Sequence, residues 1–106
     1  MSKQSEMILK SGSKVRNIEG TADCEALGFD SWKKYYKGAG GKKRKWPARC
    51  RISDCNREAT DGAHVECKRR SGEWIIPMCS KHNNPSNEKW MSVKRSSTVV
   101  RAVDTC

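Results

Sequence analysis

The sequence predicts a small α+β domain whose thin core needs a cross-link or a bound metal. Three observations predict it: a length of 106 residues, a composition that is 35% hydrophobic and 32% charged, and six cysteines. A chain of this length has room for one domain, because a second core would leave each half too little apolar surface to bury. The cysteines are the natural source of the missing stability.

These cysteines form either disulfides or a metal site, and the compartment decides between the two. The start of the chain, MSKQSEMILKSGSK, contains no apolar stretch typical of a secretory signal. No run of residues approaches the roughly 18 to 20 apolar positions that span a bilayer. We therefore expect an intracellular protein with reduced cysteines, cytoplasmic or, if the run KKRK acts as a nuclear address, nuclear.

The charge balance indicates the class of partner. The chain has 22 Lys and Arg against 12 Asp and Glu, which gives a formal net charge of +10. A positive field of this size on a small protein favours polyanions, and nucleic acid is the commonest polyanion in a cell. The alternative is a solvated surface that only keeps the protein in solution. The sequence contains no convincing amphipathic basic helix, the feature that would indicate a membrane partner.

The N-terminal part divides into an arm and a helical segment. Residues 1–20 are polar and lack sustained periodicity, so we predict a flexible arm with at most one strand near Val15 and Ile18. We expect residues 21–106 to form one domain that binds the metal.

Residues 21–37 read as two short helices, because Gly28 interrupts an otherwise helical pattern. Asp30 or Ser31 is suited to cap the second helix. The residues expected to face the core are Ala26, Phe29, Trp32 and Tyr36.

The C-terminal half predicts a hairpin, a short helix and a closing strand. Residues 64–70 and 73–78 are rich in residues that suit pleated surfaces, and Ser71 and Gly72 suit the turn between them. We expect the helix directly after Cys79 and the last strand over residues 98–103. Residues 38–45 combine glycines with four consecutive cations and predict a flexible basic loop.

Four residues have the spacing of a zinc site. Cys50 and Cys55 form one close pair, Cys79 and His82 a second, and the two pairs bracket the predicted hairpin. Zinc prefers thiolate and imidazole in a tetrahedral shell, and chains usually supply such ligands as two pairs. Hairpin, ligand pair and helix in this order predict a treble-clef site with one structural Zn²⁺.

Three further cysteines are not needed for this site. Cys24 suits a packed position in the first helix, since free cysteines behave as small hydrophobic residues. Cys67 lies in the hairpin, where it either packs or replaces one of the four ligands. Cys106 is the last residue of the sequence and is expected to be a free thiol.

The segments CRISDC, DGAHV and WIIPMCSKHN resemble the HNH, or ββα-metal, family of zinc-stabilised nucleases over about residues 48–92. The resemblance implies that His64 is the general base that activates water and that Asn83 helps to hold a second divalent metal. Ala63 stands where the family usually has a metal ligand, and Trp74 where it has an Asn that orients the base. The resemblance therefore implies a domain that is degenerate at its catalytic positions.

Two functions from different classes follow, and a third stays open. The first is a zinc-stabilised module that binds nucleic acid through cations and one stacking aromatic ring. Its expected footprint is Lys42, Lys43, Arg44, Lys45, Trp46, Lys68, Arg69 and Arg70. The second is a metal-dependent endonuclease that uses His64. The third is a phage or bacterial adaptor that binds another protein.

Overall fold

Six strands form one antiparallel sheet in the computed structural model, which describes residues 6–18, 26, 28–84 and 86–102. The strands are β1 (Glu6–Leu9), β2 (Lys14–Asn17), β3 (Asp61–Cys67), β4 (Trp74–Met78), β5 (Met91–Ser92) and β6 (Ser97–Arg101). Their order across the sheet is β1-β6-β4-β3-β2-β5. One helix, α1 (Trp32–Gly38), continues into a 3-10 turn over Ala39–Gly41.

The predicted α+β treble-clef or ββα-like fold is wrong, because the described chain is mostly sheet and no helix follows Cys79. The backbone there makes a single turn, in which the Asn83 N–H donates to the Cys79 carbonyl at 2.9 Å. In the sequence Pro85 follows, and a proline disfavours helical geometry at the residue before it. The spacing Cys-x2-His is satisfied by that single turn and does not require a helix.

The segment predicted to be a flexible arm contributes two strands. The predicted strand near Val15 is β2, which pairs with β3 and β5. The prediction missed β1, which pairs with β6 from Glu6 to Leu9. Within β1, Met7 and Leu9 are buried while Ile8 is exposed, as expected for a strand with one face on the core.

The short connection between β1 and β2 requires a curved sheet. In a flat sheet of this order β1 and β2 would lie four strand spacings apart, about 19 Å. Residues 10–13 instead form a tight turn, closed by a 3.0 Å hydrogen bond from the Ser13 N–H to the Lys10 carbonyl. The sheet therefore curls into a half-barrel, and this turn joins its two sides.

The two faces of the sheet carry separate clusters of buried residues. The first core contains Val15, Val65, Ile76 and Val99 together with buried cysteines. The second core lies under α1 and contains Ala26, Tyr35, Tyr36, Ala39, Ile75 and Val100, with Phe29 and Trp32 packed against it. The predicted core-facing positions of the helical segment are thus confirmed.

Helix α1 begins where the sequence places a cap. The Ser31 side chain accepts a hydrogen bond from the Lys34 N–H at 3.1 Å, so the Ser31 alternative is confirmed. The helix lies directly on Gly62 of β3, because a Cβ at Gly62 would come within 2.6 Å of the Trp32 backbone. The first predicted helix falls on residues 21–27, of which only Ala26 lies within the described residues.

The predicted hairpin and the last strand are confirmed with shifted bounds. β3 pairs antiparallel with β4, from Asp61 opposite Met78 to Val65 opposite Trp74. β3 begins three residues earlier than predicted and ends at Cys67, so the turn is longer than Ser71 and Gly72. β6 covers the predicted last strand up to Arg101, and Val103 lies outside the described residues.

Candidate metal centre and cationic surface

Two segments bring the four predicted ligands together on the first-core side of the sheet. Cys50 and Cys55 lie in the loop before β3, and Cys79 follows β4 directly. The loop is held against the sheet because the Arg51 N–H donates to the Pro77 carbonyl at 3.1 Å. Between the two cysteines Asp54 adopts a positive φ of 63°, which asparagine and aspartate tolerate better than most residues.

The donor atoms lie at separations close to those of a tetrahedral shell. Cys55 Sγ lies 3.8 Å from Cys79 Sγ, and His82 Nδ1 lies 3.2 Å from Cys79 Sγ and 3.8 Å from Cys50 Sγ. All four atoms are within 4.8 Å of one another. Metal bonds of about 2.3 Å to sulfur and 2.0 Å to nitrogen place tetrahedral ligands about 3.5 to 3.8 Å apart. The cluster can therefore hold one metal ion.

The same distances argue against disulfides in this cluster. A disulfide requires a sulfur separation of about 2.05 Å, much shorter than the 3.8 Å between Cys55 and Cys79. Cys50, Cys55, Cys67 and Cys79 are all free thiols.

Burial and neighbouring groups prepare the donors differently. Burial raises the pKa of Cys50 to about 11. Burial would also raise the pKa of Cys55, but hydrogen bonds from the Arg57 backbone and from Cys79 and Cys50, with the charge of Lys94, lower it overall. Desolvation, followed by the charges of Lys81 and Arg57, lowers the pKa of His82. A neutral imidazole is the form that binds a metal.

Distant side chains fix the backbone of the cluster. The His82 carbonyl accepts hydrogen bonds from Asn17 Nδ2 at 2.8 Å and from Asn87 Nδ2 at 2.9 Å. The Cys55 carbonyl accepts one from Lys94 Nζ at 2.6 Å. Sequence reasoning missed these three residues, because Asn17 and Lys94 are far from their partners in the chain and carry no motif.

The remaining cysteines do not join the cluster within the described chain. Cys67 is buried in the first core at the far end of β3, and burial raises its pKa to about 11. Of the two alternatives for Cys67, packing is the one observed. Cys24 and Cys106 lie outside the described residues.

The structure does not bring His64 and Asn83 together. His64 is buried, with its ring centre 5.0 Å from that of Trp32 and its Nε2 3.6 Å from Glu73 Oε2. Asn83 Nδ2 donates to Asp61 Oδ2 at 3.1 Å. Asp61 and His64 are three positions apart on β3, and side chains alternate along a strand. Asn83 therefore lies by the first-core face, while His64 faces α1.

The predicted basic loop separates into exposed and packed residues. Lys42, Lys43 and Lys45 are exposed. The Arg44 side chain is 9% exposed, pairs with Glu6 at 2.8 Å and donates to the carbonyls of Tyr36 and Ala39. Arg44 is thus a packing residue and does not belong to an exposed cationic surface.

Trp46 is also packed. Its Nε1 donates to the Ala59 carbonyl at 2.6 Å, and its ring meets Tyr36 edge-on with centroids 5.4 Å apart. Lys33 Nζ lies 5.1 Å from the Trp46 ring centroid, so a cation already occupies that surface. The predicted stacking of Trp46 on a base would require Lys33 to leave the ring and the packing against Tyr36 to change.

The residues of the second predicted cationic group are all exposed. Lys68, Arg69 and Arg70 form the turn that follows β3. Among the residues the structure describes, the ion pairs involve other groups, namely Arg16 with Glu66, Lys34 with Asp30 and Arg44 with Glu6. These three cations are therefore available to an external anion.

Comparison of the chain with protein-family models, with curated proteins and with solved structures gives no match. Within the described residues, no helix has the length and apolar character needed to cross a membrane.

Proposed function

We propose that this protein is a zinc-stabilised module that binds nucleic acid and that its metal is structural. Three thiolates and one imidazole are a donor set that Zn²⁺ prefers. Four protein donors complete a tetrahedral shell and leave no position for a substrate, which distinguishes structural from catalytic zinc sites. Three donor-atom separations of 3.2 to 3.8 Å, with all four atoms within 4.8 Å of one another, support this proposal most directly.

Metal analysis of the purified chain tests the zinc part of the proposal. We expect one zinc per chain, and Co²⁺ substitution should give thiolate-to-metal absorption that disappears in Cys79→Ser. Iron or no metal at all in the purified chain would contradict the assignment.

The nucleic-acid part is supported by cations that are exposed and unpaired within the described residues. The set comprises Lys42, Lys43, Lys45, Lys68, Arg69 and Arg70. Together with the net charge of +10 they provide the electrostatic footprint of a protein that contacts phosphates.

Fluorescence anisotropy with labelled oligonucleotides at two salt concentrations tests this part. Affinity should fall as salt rises, since each neutralised phosphate releases counterions. Changing all six exposed cations to Gln should abolish binding while zinc content and melting temperature stay unchanged. A wild-type chain that binds no DNA or RNA at low salt would refute the proposed function.

No metal-dependent cleavage is proposed. His64 lies on the α1 face of β3, whereas Asn83 contacts Asp61 on the other face, so one metal could not be shared by the two side chains.

A further inference from the structure

A cleft of about 450 Å³ opens at the end of the half-barrel away from the metal cluster. One wall is the turn between β1 and β2 together with the start of β2, where Lys10 and Lys14 lie. The other is the turn after β3, which carries Lys68, Arg69 and Arg70. Lys10 and Lys14 are separated from the second group by more than 50 residues in the sequence. The local run 68–70 therefore did not by itself indicate the cleft.

The cleft gathers five cations without a counter-charge. Within the described part of the chain, no acidic residue lines the cleft and none of the five cations forms an ion pair. Like charges on opposite walls of a recess repel each other and focus a positive potential into it. Such an arrangement is favourable when an anion occupies the recess.

Backbone hydrogen bonds hold both walls in place. The Gly12 N–H donates to the Val93 carbonyl, the Lys68 N–H to the Lys14 carbonyl, and the Arg70 N–H to the Cys67 carbonyl, each at 3.0 Å. The cations therefore extend from a backbone that is already ordered, which lowers the entropic cost of binding.

Apolar and aromatic groups continue the cationic surface. Ile8 lines the cleft and is 66% exposed, the one large hydrophobic side chain exposed to this degree among the described residues. Lys68 also lies 5.8 Å from the ring centroid of Trp90, over which the Arg16 guanidinium stacks at 4.4 Å. The surface thus runs from the cleft through Lys68 to the Trp90 ring, which Arg16 already covers.

We propose that this cleft holds the backbone of single-stranded nucleic acid, an inference that rests on the proposed function. A duplex presents phosphates on a convex surface and keeps its bases stacked inside, so it has little to offer a recess or an apolar side chain. A single strand can enter the recess with its phosphates and place a sugar or base against Ile8, which is exposed at the wall of the recess.

Two charge-matched variants of the full chain test the inference. The cleft variant changes Lys10, Lys68 and Arg70 to Gln, and the loop variant changes Lys42, Lys43 and Lys45 to Gln. Both remove three positive charges, so a difference between them reports position rather than net charge. Arg69 is left unchanged so that the two variants remove the same number of positive charges.

The probe is a fluorescent oligothymidylate of twelve nucleotides, compared with a duplex of the same length. We expect the cleft variant to bind the single strand at least tenfold more weakly. The slope of log affinity against log salt concentration should be flatter by about 2, because each of three lost single-strand phosphate contacts contributes ~0.7. The loop variant should change affinity by less than threefold. The wild-type chain should prefer the single strand to the duplex by at least tenfold.

A third variant separates apolar contact from charge. Ile8→Ser should weaken single-strand binding several-fold and leave the salt slope unchanged, because no phosphate contact is lost. Melting temperatures and zinc content of all variants provide the control for folding.

The outcomes separate this inference from the proposed function. Binding by the wild type that survives in the cleft variant and is lost in the loop variant would overturn the cleft and keep the function. Equal affinity for duplex and single strand would also overturn it. Failure of the wild type to bind either probe refutes the proposed function itself.

Discussion

Cys79 has the central place among the four metal donors. Its Sγ lies 3.8 Å from Cys55 Sγ and 3.2 Å from His82 Nδ1, and it joins the loop cysteines to the end of β4. A metal bound here connects two segments that are 24 residues apart in the chain. Its binding energy therefore contributes to folding.

Cys79→Ser should leave the chain largely unfolded, because the metal loses a thiolate and the loop loses its attachment to the sheet. Far-UV circular dichroism and thermal melting measure this change. His82→Cys is the matched control and should retain metal and fold, since both side chains are tetrahedral zinc ligands. A Cys79→Ser chain with wild-type melting would show that the cluster does not support the fold.

Metal affinity should rise with pH through the neutral range. Burial raises the pKa of Cys50 to about 11, so this thiol holds a proton at pH 7 that the metal must displace. The thiols of an unfolded chain also hold their protons at pH 7, because free thiols titrate near 8.5. His82 supplies no proton above about 6.5, the ordinary histidine value, since its pKa is lowered. Calorimetry in two buffers of different ionisation enthalpy should show at least one proton released per metal at pH 7, and none would contradict this.

Arg44→Gln should destabilise the protein by about 1 to 3 kcal/mol, because two backbone carbonyls and Glu6 lose their donor in a largely buried position. Lys43→Gln, which changes an exposed neighbour, is the control and should leave stability unchanged. Urea unfolding followed by circular dichroism measures both. Equal effects of the two substitutions would show that Arg44 does not stabilise the fold and belongs with the exposed cations of the basic loop.

At the scale of elements, Gly62 sets the distance between α1 and β3. Its missing side chain lets the Trp32 backbone lie on the strand, where any Cβ would be 2.6 Å from the Trp32 carbonyl carbon and 2.8 Å from the Lys33 nitrogen. The second core forms between the helix and the sheet and depends on this approach.

Gly62→Ala should therefore lower the free energy of unfolding by about 1 to 3 kcal/mol, since backbone atoms must move to admit the methyl group. Thr60→Ala, at an exposed position two residues earlier, is the control and should have little effect. Chemical denaturation measures both changes. A Gly62→Ala variant as stable as the wild type would mean that α1 can shift without cost.

Local signals predicted the elements that local interactions determine. The Ser31 cap and the hairpin of β3 and β4 depend on neighbouring residues and were predicted from sequence. β1 was missed because four residues give too short an alternation to recognise, and it is stabilised by β6, about 90 residues away. The treble-clef prediction failed because a ligand pair and a hairpin do not specify which strands join the sheet.

The candidate site shows the same division. The spacing of Cys50, Cys55, Cys79 and His82 predicted a cluster that the structure brings within 4.8 Å. The run 42–45 predicted a uniform cationic surface, but Arg44 is held by Glu6 on β1, a strand the sequence did not reveal. Lys10 and Lys14 reach the cleft only because the sheet curls.

At the scale of the whole molecule, one sheet carries both cores. The metal cluster belongs to the first core, while Tyr36, Ile75 and Val100 belong to the second, on the other face. Ile75 lies between Trp74 and Ile76 in the same strand, so the two cores share a backbone. A small domain of this kind unfolds as one unit.

Removal of the metal should therefore disorder residues that do not touch it. The Trp46 Nε1–H donates to the Ala59 carbonyl, and the Trp46 ring packs against Tyr36 in the second core. The proton NMR signal of this N–H therefore reports on that face of the sheet. Chelation should abolish this signal together with those of the metal cluster, and one equivalent of Zn²⁺ should restore both. If the Trp46 signal keeps its position after chelation, the second core folds without the metal, and the proposed structural role is confined to the loop around Cys50 and Cys55.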